Sequence, residues 1–185
     1  MASATSAEAV GATPALRRLY TIRFVFAAAW AALLLVSGSE LTVGTRLLLF
    51  LYPAFDVVAA VVDARSARAD GPVKGLYTNI AVSSLAAVGI AVAGTSGIAD
   101  VLRVWGTWAV VSGLVQLLVG VARRPMGGQW AMILSGGISV LAGATFIRSA
   151  TQNDPSLTTL AGYATLGGIF FLVSAIRLSR STGRG

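Results

Sequence analysis

The chain has 185 residues, of which 56% are hydrophobic and only 11% are charged, and it contains neither Cys nor His. A soluble domain carries about 25% charged residues, so most of the surface of this chain must face lipid. Without Cys and His, disulfides, thiol nucleophiles and histidine bases are excluded, and neither a cofactor nor a metal site is predicted. The net charge of +7 does not indicate nucleic-acid binding, because the Arg residues punctuate the apolar runs instead of forming one patch.

Six apolar runs are long enough, or nearly so, to cross a bilayer, which takes about 20 residues. They lie at about 20–36, 42–62, 75–94, 101–122, 129–147 and 157–176. Because these runs do not alternate apolar with polar residues, the sequence predicts an all-α polytopic membrane protein and not a membrane barrel. The six helices form three hairpins, about 20–62, 75–122 and 129–176, within a membrane domain at 20–178. Residues 1–19 and 179–185 are predicted to be disordered cytoplasmic tails.

The basic residues predict the orientation of these helices. Of the 14 Lys and Arg residues, only Arg46, Arg103 and Arg148 lie at the helix ends away from the N terminus. Positive residues concentrate on the cytoplasmic side of a membrane, so the sequence predicts a multi-pass protein of the inner (plasma) membrane with both termini in the cytoplasm. The lipid bilayer is its expected surrounding, and a homo-oligomer or a membrane-protein partner remains open.

Signs of an internal repeat link the three hairpins. Tyr52, Trp108 and Tyr163 recur on the second, fourth and sixth helices at a period near 55 residues, and Leu19-Tyr20-Thr21 recurs as Leu76-Tyr77-Thr78. Aromatic residues near interfaces are also ordinary features of membrane proteins, so the repeat is a hypothesis. Its copies would all run in one direction, unlike the inverted repeats of many transporters.

A resemblance to a known family rests on the second half of the chain. Residues 104–117 read VWGTWAVVSGLVQL, and residues 127–143 read GGQWAMILSGGISVLAG. With six helices and short loops, this pattern resembles the HdeD family of bacterial inner-membrane proteins, which is linked by name to acid resistance. The first hairpin departs from the family pattern at Tyr52-Pro53-Ala54-Phe55-Asp56. The resemblance implies a non-enzymatic protein that supports the envelope under stress such as acid, and it supplies no catalytic residues.

Asp56 is the leading candidate for chemistry, because a carboxylate within a span is costly and marks a functional site by default. It lies about 9 Å from the inner end of the second helix, at 1.5 Å per residue. Pro53, one turn earlier, loosens the helix beside it. Arg23 enters the first helix from the same side, so the favoured interpretation is a structural ion pair between Arg23 and Asp56. The alternative is that Asp56 handles a proton or a cation.

Small and polar residues within the spans predict contacts between helices. Two stripes of small residues favour close packing of the fourth helix on the fifth. They are Gly106, Gly113 and Gly120 on the fourth helix, and Ser135, Ser139 and Gly143 on the fifth. Asn79 and Gln116 are predicted to form hydrogen bonds between helices.

Three hypotheses for function remain. The leading one is the HdeD-like stress protein. The second is a small proton-linked transporter or channel that uses Asp56, and the third is an assembly partner of a larger membrane complex. An enzyme is not predicted, because the sequence offers no nucleophile–base pair and no metal cluster. Most polar groups are expected near the helix ends, which argues against the polar mid-membrane cavity that a transporter needs.

Overall fold

The computed structural model describes residues 2–67, 74–122, 124–126 and 129–182. Within these ranges the regular structure is helical, as predicted. The six long helices are α1 (Ala2–Ser37), α2 (Val43–Ala67), α3 (Lys74–Ala93), α4 (Ile98–Ala122), α5 (Trp130–Ser149) and α6 (Thr158–Thr182), and a short 3-10 helix spans Arg124–Met126.

Five of these helices are long and apolar enough to cross a membrane. The apolar segments are Arg17–Ser37, Val43–Val62, Ile98–Ala122, Trp130–Ser149 and Thr158–Arg177, whereas α3 has a shorter apolar part, Tyr77–Ala93. Large apolar side chains cover the outside of the bundle: Val36 is 87% exposed, Leu85 73% and Leu141 70%. Such a surface is suited to lipid and not to water. The fold is therefore that of a multi-pass membrane protein, and the sixth span remains a prediction.

The helices extend further than the sequence predicted. α1 begins at Ala2 and α6 continues to Thr182, so helix reaches into both segments that were predicted to be disordered tails. The first segment was predicted to be disordered because it is rich in Ala, Ser and Thr. Ala recurs there at positions 2, 4, 7, 9, 12 and 15, and Ala is the strongest helix former.

The helices form a ring in which each packs against the next along the chain and α1 closes against α6. The most extensive contact joins α4 to α5, followed by α1 with α6 and α2 with α3. The two helices of each predicted hairpin touch less, and α5 with α6 touch least of these neighbours. Close and loose contacts thus alternate around the ring. The alternation is compatible with an internal repeat, which nevertheless remains a hypothesis.

The backbones of α4 and α5 approach each other closely. A Cβ atom added to Gly113 would lie 2.7 Å from the carbonyl oxygen of Gly136, and one added to Gly106 would lie 2.7 Å from that of Gly143. These distances leave no room for a side chain, so the close approach requires glycine at these positions. A Cβ atom on Gly120 would likewise meet α5, 2.9 Å from a side-chain carbon of Ile133.

The two predicted stripes differ in outcome. Gly106, Gly113 and Gly120 all face α5, as the seven-residue spacing on α4 indicated. On α5, however, the backbone contact uses Gly136 and Gly143, and Ser135 instead lines a cavity. Gly136 was missed, although it too lies seven residues from Gly143 and therefore matches the spacing on α4.

The two ends of the bundle differ in how their centres are filled. We call the end at which α1, α3 and α5 begin the basic end, and the half of the bundle away from it the packed half. Buried side chains from all six helices fill the centre of the packed half. They include Trp30, Leu34, Leu49, Ile90, Trp105, Phe146 and Leu160.

Candidate functional site

A cavity of about 720 Å³ occupies the half of the bundle next to the basic end. All six helices contribute to its wall. Its lining begins with Gly75 and Gln129 at the basic end and reaches Tyr52, Trp108 and Tyr163 near the middle of the bundle. The packed half begins beyond these three rings. This space, the basic-end cavity, therefore extends from that end to the middle of the bundle.

The wall combines one ion pair with uncharged polar groups. Arg23 and Asp56 are the charged side chains among the described lining residues. Uncharged polar side chains surround them, including Asn79, Ser112, Gln116, Ser135, Ser139 and Ser174. Polar side chains from different helices thus converge on one space, which the sequence analysis did not predict.

Asp56 is held by three side chains from two neighbouring helices. Arg23 Nη2 donates to its Oδ1 at 2.9 Å, while Asn79 Nδ2 and Ser83 Oγ donate to its Oδ2 at 2.9 and 2.8 Å. The structure thus brings together the two residues that the sequence paired, and Asn79 makes a bond between helices as expected. Ser83 was missed, although it lies four residues after Asn79 and therefore on the same helix face.

Arg23 is fixed from two sides. Its guanidinium carbon lies 4.8 Å from the centre of the Phe171 ring on α6, within the range of a cation–π contact. The side chain is 12% exposed, and that of Asp56 is 23% exposed. The contacts of Arg23 thus join α1 to α2 and α6. Both members of the ion pair line the basic-end cavity, so the pair also faces the open space.

Four aromatic rings form a barrier at the end of the cavity, two on its wall and two behind them in the packed half. Tyr52 and Trp108 line the cavity, and Trp30 and Trp105 lie behind them, with contacting ring centres 4.7–6.2 Å apart. Trp108 Nε1 donates to Ser83 Oγ at 3.2 Å, so this barrier is connected to the hydrogen bonds of Asp56. Within the described residues, the buried Nε1 of Trp105 has no hydrogen-bond partner.

The wall between α5 and α6 carries its own polar contact. Ser139 Oγ and Tyr163 OH share a hydrogen bond of 2.9 Å. The Ser112 hydroxyl is buried and has no partner in the described part of the chain. Gln116, predicted to bond between helices, lies on the cavity wall.

The three aromatic residues that defined the repeat on the even helices share one environment, because Tyr52, Trp108 and Tyr163 all line the cavity. The aromatic residues that begin the odd helices do not. Tyr20 lines the cavity, whereas Trp130 is 67% exposed and stacks with Arg124. The even-helix spacing therefore found three residues of the site, whereas the odd-helix aromatics found one, Tyr20.

Comparison with known proteins found no matching family model, no matching curated protein and no matching solved structure. The resemblance to the HdeD family, and the stress-related role that it implies, therefore remain predictions. The geometry of the basic-end cavity is the basis on which function is inferred.

Proposed function

We propose that this chain is a small proton-linked transporter of the plasma membrane, in which the basic-end cavity binds the solute and Asp56 carries the proton. The observation that supports this most is a one-sided cavity that contains an ion pair. A carrier caught in one state has this form, with a central site open to one side and packed helices on the other. The proton-linked transporter, the second hypothesis drawn from the sequence, thus becomes the leading one.

In the proposed orientation the basic end lies in the cytoplasm. By their place in the sequence, all but three of the 14 Lys and Arg residues belong to the segments predicted at that end, and positive residues are retained on the cytoplasmic side. α3 crosses as the sixth span. Its polar residues Asn79 and Ser83 bond to Asp56, so they are satisfied inside the protein and are not presented to lipid.

The alternation of close and loose helix contacts gives the ring a way to move. The close pairs, α4 with α5, α1 with α6 and α2 with α3, serve as units, and the looser junctions between them allow the cavity to close on one side and open on the other. Conversion between such states is the basis of alternating access. The glycine contact keeps α4 and α5 together throughout.

Cysteine labelling tests one-sided access, and the absence of Cys from the chain removes the background. We expect Gln116→Cys, on the cavity wall, to react with a membrane-impermeant maleimide in inside-out vesicles and not in intact cells. Ala161→Cys is the matched control, because Ala161 is fully buried in the packed half and should react from neither side. Equal labelling of Gln116→Cys from both sides would indicate a channel.

Proton movement tests the role of Asp56. Proteoliposomes that contain a pH-sensitive dye are challenged with organic acids, amines and sugars. We expect one of these classes to drive proton movement through the parent protein and not through Asp56→Asn. If no class moves protons faster through the parent than through the variant, Asp56 is not the proton carrier.

A further inference from the structure

We infer that the solute of the basic-end cavity is an amphipathic organic anion, and that its acid group replaces the Asp56 carboxylate on Arg23 when Asp56 is protonated. The inference rests on the proposed transport function and gives that function a substrate class. It is supported by the unequal hydrogen bonding of the two charged groups, by the charge balance of the cavity and by the composition of its wall.

Asp56 and Arg23 differ in how many of their hydrogen-bonding sites are used. Asp56 accepts three hydrogen bonds, out of the roughly four acceptor sites of a carboxylate. Arg23 has five N–H donors and, within the described residues, one hydrogen-bond acceptor, Asp56. A cation would thus find Asp56 engaged, whereas an acid group finds donors on Arg23.

The arrangement around Asp56 allows a proton to release Arg23. Asn79 and Ser83 both donate to Oδ2, which stays an acceptor when the acid is neutral. The proton then belongs on Oδ1, the oxygen that accepts from Arg23 Nη2. A hydroxyl at Oδ1 opposes the guanidinium N–H groups, so protonation weakens the ion pair while α3 keeps its hold on Asp56.

Charge balance favours the joint entry of a proton and an anion. The charges of Arg23 and Asp56 cancel, and the other described lining residues are uncharged at neutral pH. When one proton neutralises Asp56 and one anion binds Arg23, the net charge of the cavity stays at zero. Net charge inside a membrane is costly, so this exchange avoids the cost that an anion or a proton alone would incur.

The described groups that face Asp56 include no second carboxyl group. Arg23 of α1 stays charged between about pH 5 and 8, and Asn79 and Ser83 of α3 do not titrate. The phenols Tyr52 of α2 and Tyr163 of α6 belong to a class that ionises near pH 10. α4 and α5 contribute the uncharged residues Trp108, Ser112, Gln116, Ser135 and Ser139 to the wall.

The rest of the wall is suited to an apolar chain. Phe171 packs on Arg23, and apolar residues continue from it along the cavity, including Phe170, Leu166, Ile138 and Val115. Ile138 and Leu166 belong to α5 and α6, the neighbouring helices in least contact. The volume of about 720 Å³ falls within the usual range of small-molecule sites. A solute whose acid group binds Arg23 would therefore place its apolar chain against these residues.

The test uses 1-decanesulfonate, because a sulfonate stays ionised throughout this pH range. Binding is measured calorimetrically with the purified protein in phosphatidylcholine nanodiscs, and empty nanodiscs correct for partition into lipid. We expect the Kd to fall by up to about tenfold per pH unit on going from pH 7.5 to 5.5, as one linked proton requires. Methanesulfonate, which lacks the chain, and decyltrimethylammonium, which reverses the charge, should bind at least about tenfold more weakly.

Variants of the pair separate the proton from the anion. Asp56→Asn should bind decanesulfonate tightly at both pH values, because it mimics the protonated acid. The double variant with Arg23→Gln and Asp56→Asn should not bind it at either pH. Proton uptake by the parent, followed with a dye in weak buffer, should reach one proton per decanesulfonate bound, and this readout does not depend on any variant folding.

Several outcomes would overturn the inference: binding that does not change with pH, no proton uptake, tight binding by the double variant, or preference for the cation. Adding phosphatidylglycerol identifies the source of the anion, since competition would assign the site to an anionic lipid and its absence to a free solute. Binding without flux would refute the transport function and leave the anion site standing. Proton-linked flux of another solute class, without decanesulfonate binding, would refute the inference alone.

Discussion

The two halves of the bundle consist of the same six helices but differ in what lies at their centres. In the packed half, Trp30 and Trp105 stack with ring centres 5.3 Å apart, and Leu34 and Leu157 are fully buried. In the other half the centre is open, and the ion pair of Arg23 and Asp56 lies on its wall. The difference between the halves therefore comes from the side chains at the centre of the ring, and not from the number or order of the helices.

The glycine contact is common to both halves. It runs from Gly106, which meets Gly143 on the packed side, to Gly120, which meets Ile133 near the basic end. α4 and α5 therefore stay close along their length. Any opening of the cavity wall must then come from the other contacts between neighbouring helices. The contact between α5 and α6 is the least extensive of these, so the wall is least closely packed there.

Removing a side chain from the packed half should have the largest effect on stability. Trp105 is fully buried, and Trp105→Ala should lower the free energy of unfolding by about 3–5 kcal/mol, because it leaves a large void in the aromatic barrier. Unfolding of the purified protein in mixed detergent micelles measures this. The matched control, Trp130→Ala, removes a residue that is 67% exposed and should change stability by about 0.5 kcal/mol or less. Equal losses would show that the barrier is not packed as described.

Overfilling the common contact should have the next largest effect. Gly136→Leu would force α4 and α5 apart, because even a Cβ atom at Gly136 would lie 2.7 Å from the carbonyl oxygen of Gly113. We expect a loss of about 1–3 kcal/mol or more in the same unfolding assay. Its neighbour on the same helix is the control: a Cβ atom at Gly137 meets nothing within 4 Å, so Gly137→Leu should be tolerated. Similar melting of the two variants would rule out the close contact.

Sequence periodicity was informative along single helices and not between them. Spacing alone identified Gly106, Gly113 and Gly120 as a face, because helix geometry fixes which residues share a side. It could not show that Ser135 would turn toward a cavity while Gly136 met α4, since these adjacent residues differ in direction by only about 100°. Such a choice depends on where the neighbouring helices lie.

The cavity itself had no signature in the sequence. Asp56 and Arg23 could be paired because both are charged residues within spans on the same side. Ser139 and Gln116 were predicted only as contacts between helices, and their convergence with Ser112 on one space is a property of the ring. Ser83, which was missed beside Asp56, had a detectable signal, because it follows Asn79 by one helical turn.

The smallest loss of stability is expected in the open half, where polar contacts hold the helices together. Arg23→Gln leaves the Asp56 carboxylate without its cation, which is strongly destabilising for a fully buried pair. Here Asp56 keeps its bonds from Asn79 and Ser83 and is 23% exposed to the cavity, so we expect a loss of only about 1–2 kcal/mol.

The double variant with Arg23→Gln and Asp56→Asn carries no charge at this site and should recover part of that loss, because neither partner is left as an unpaired ion. The same unfolding assay on the parent, both single variants and the double variant gives the coupling energy. A coupling energy near zero would mean that the two residues do not stabilise each other, even though the structure places their atoms 2.9 Å apart. A clear coupling that weakens as the pH falls from 7.5 to 5.5 is the result expected if protonation of Asp56 releases Arg23, and it would connect the stability of the open half directly to the proposed exchange of a carboxylate for a bound anion.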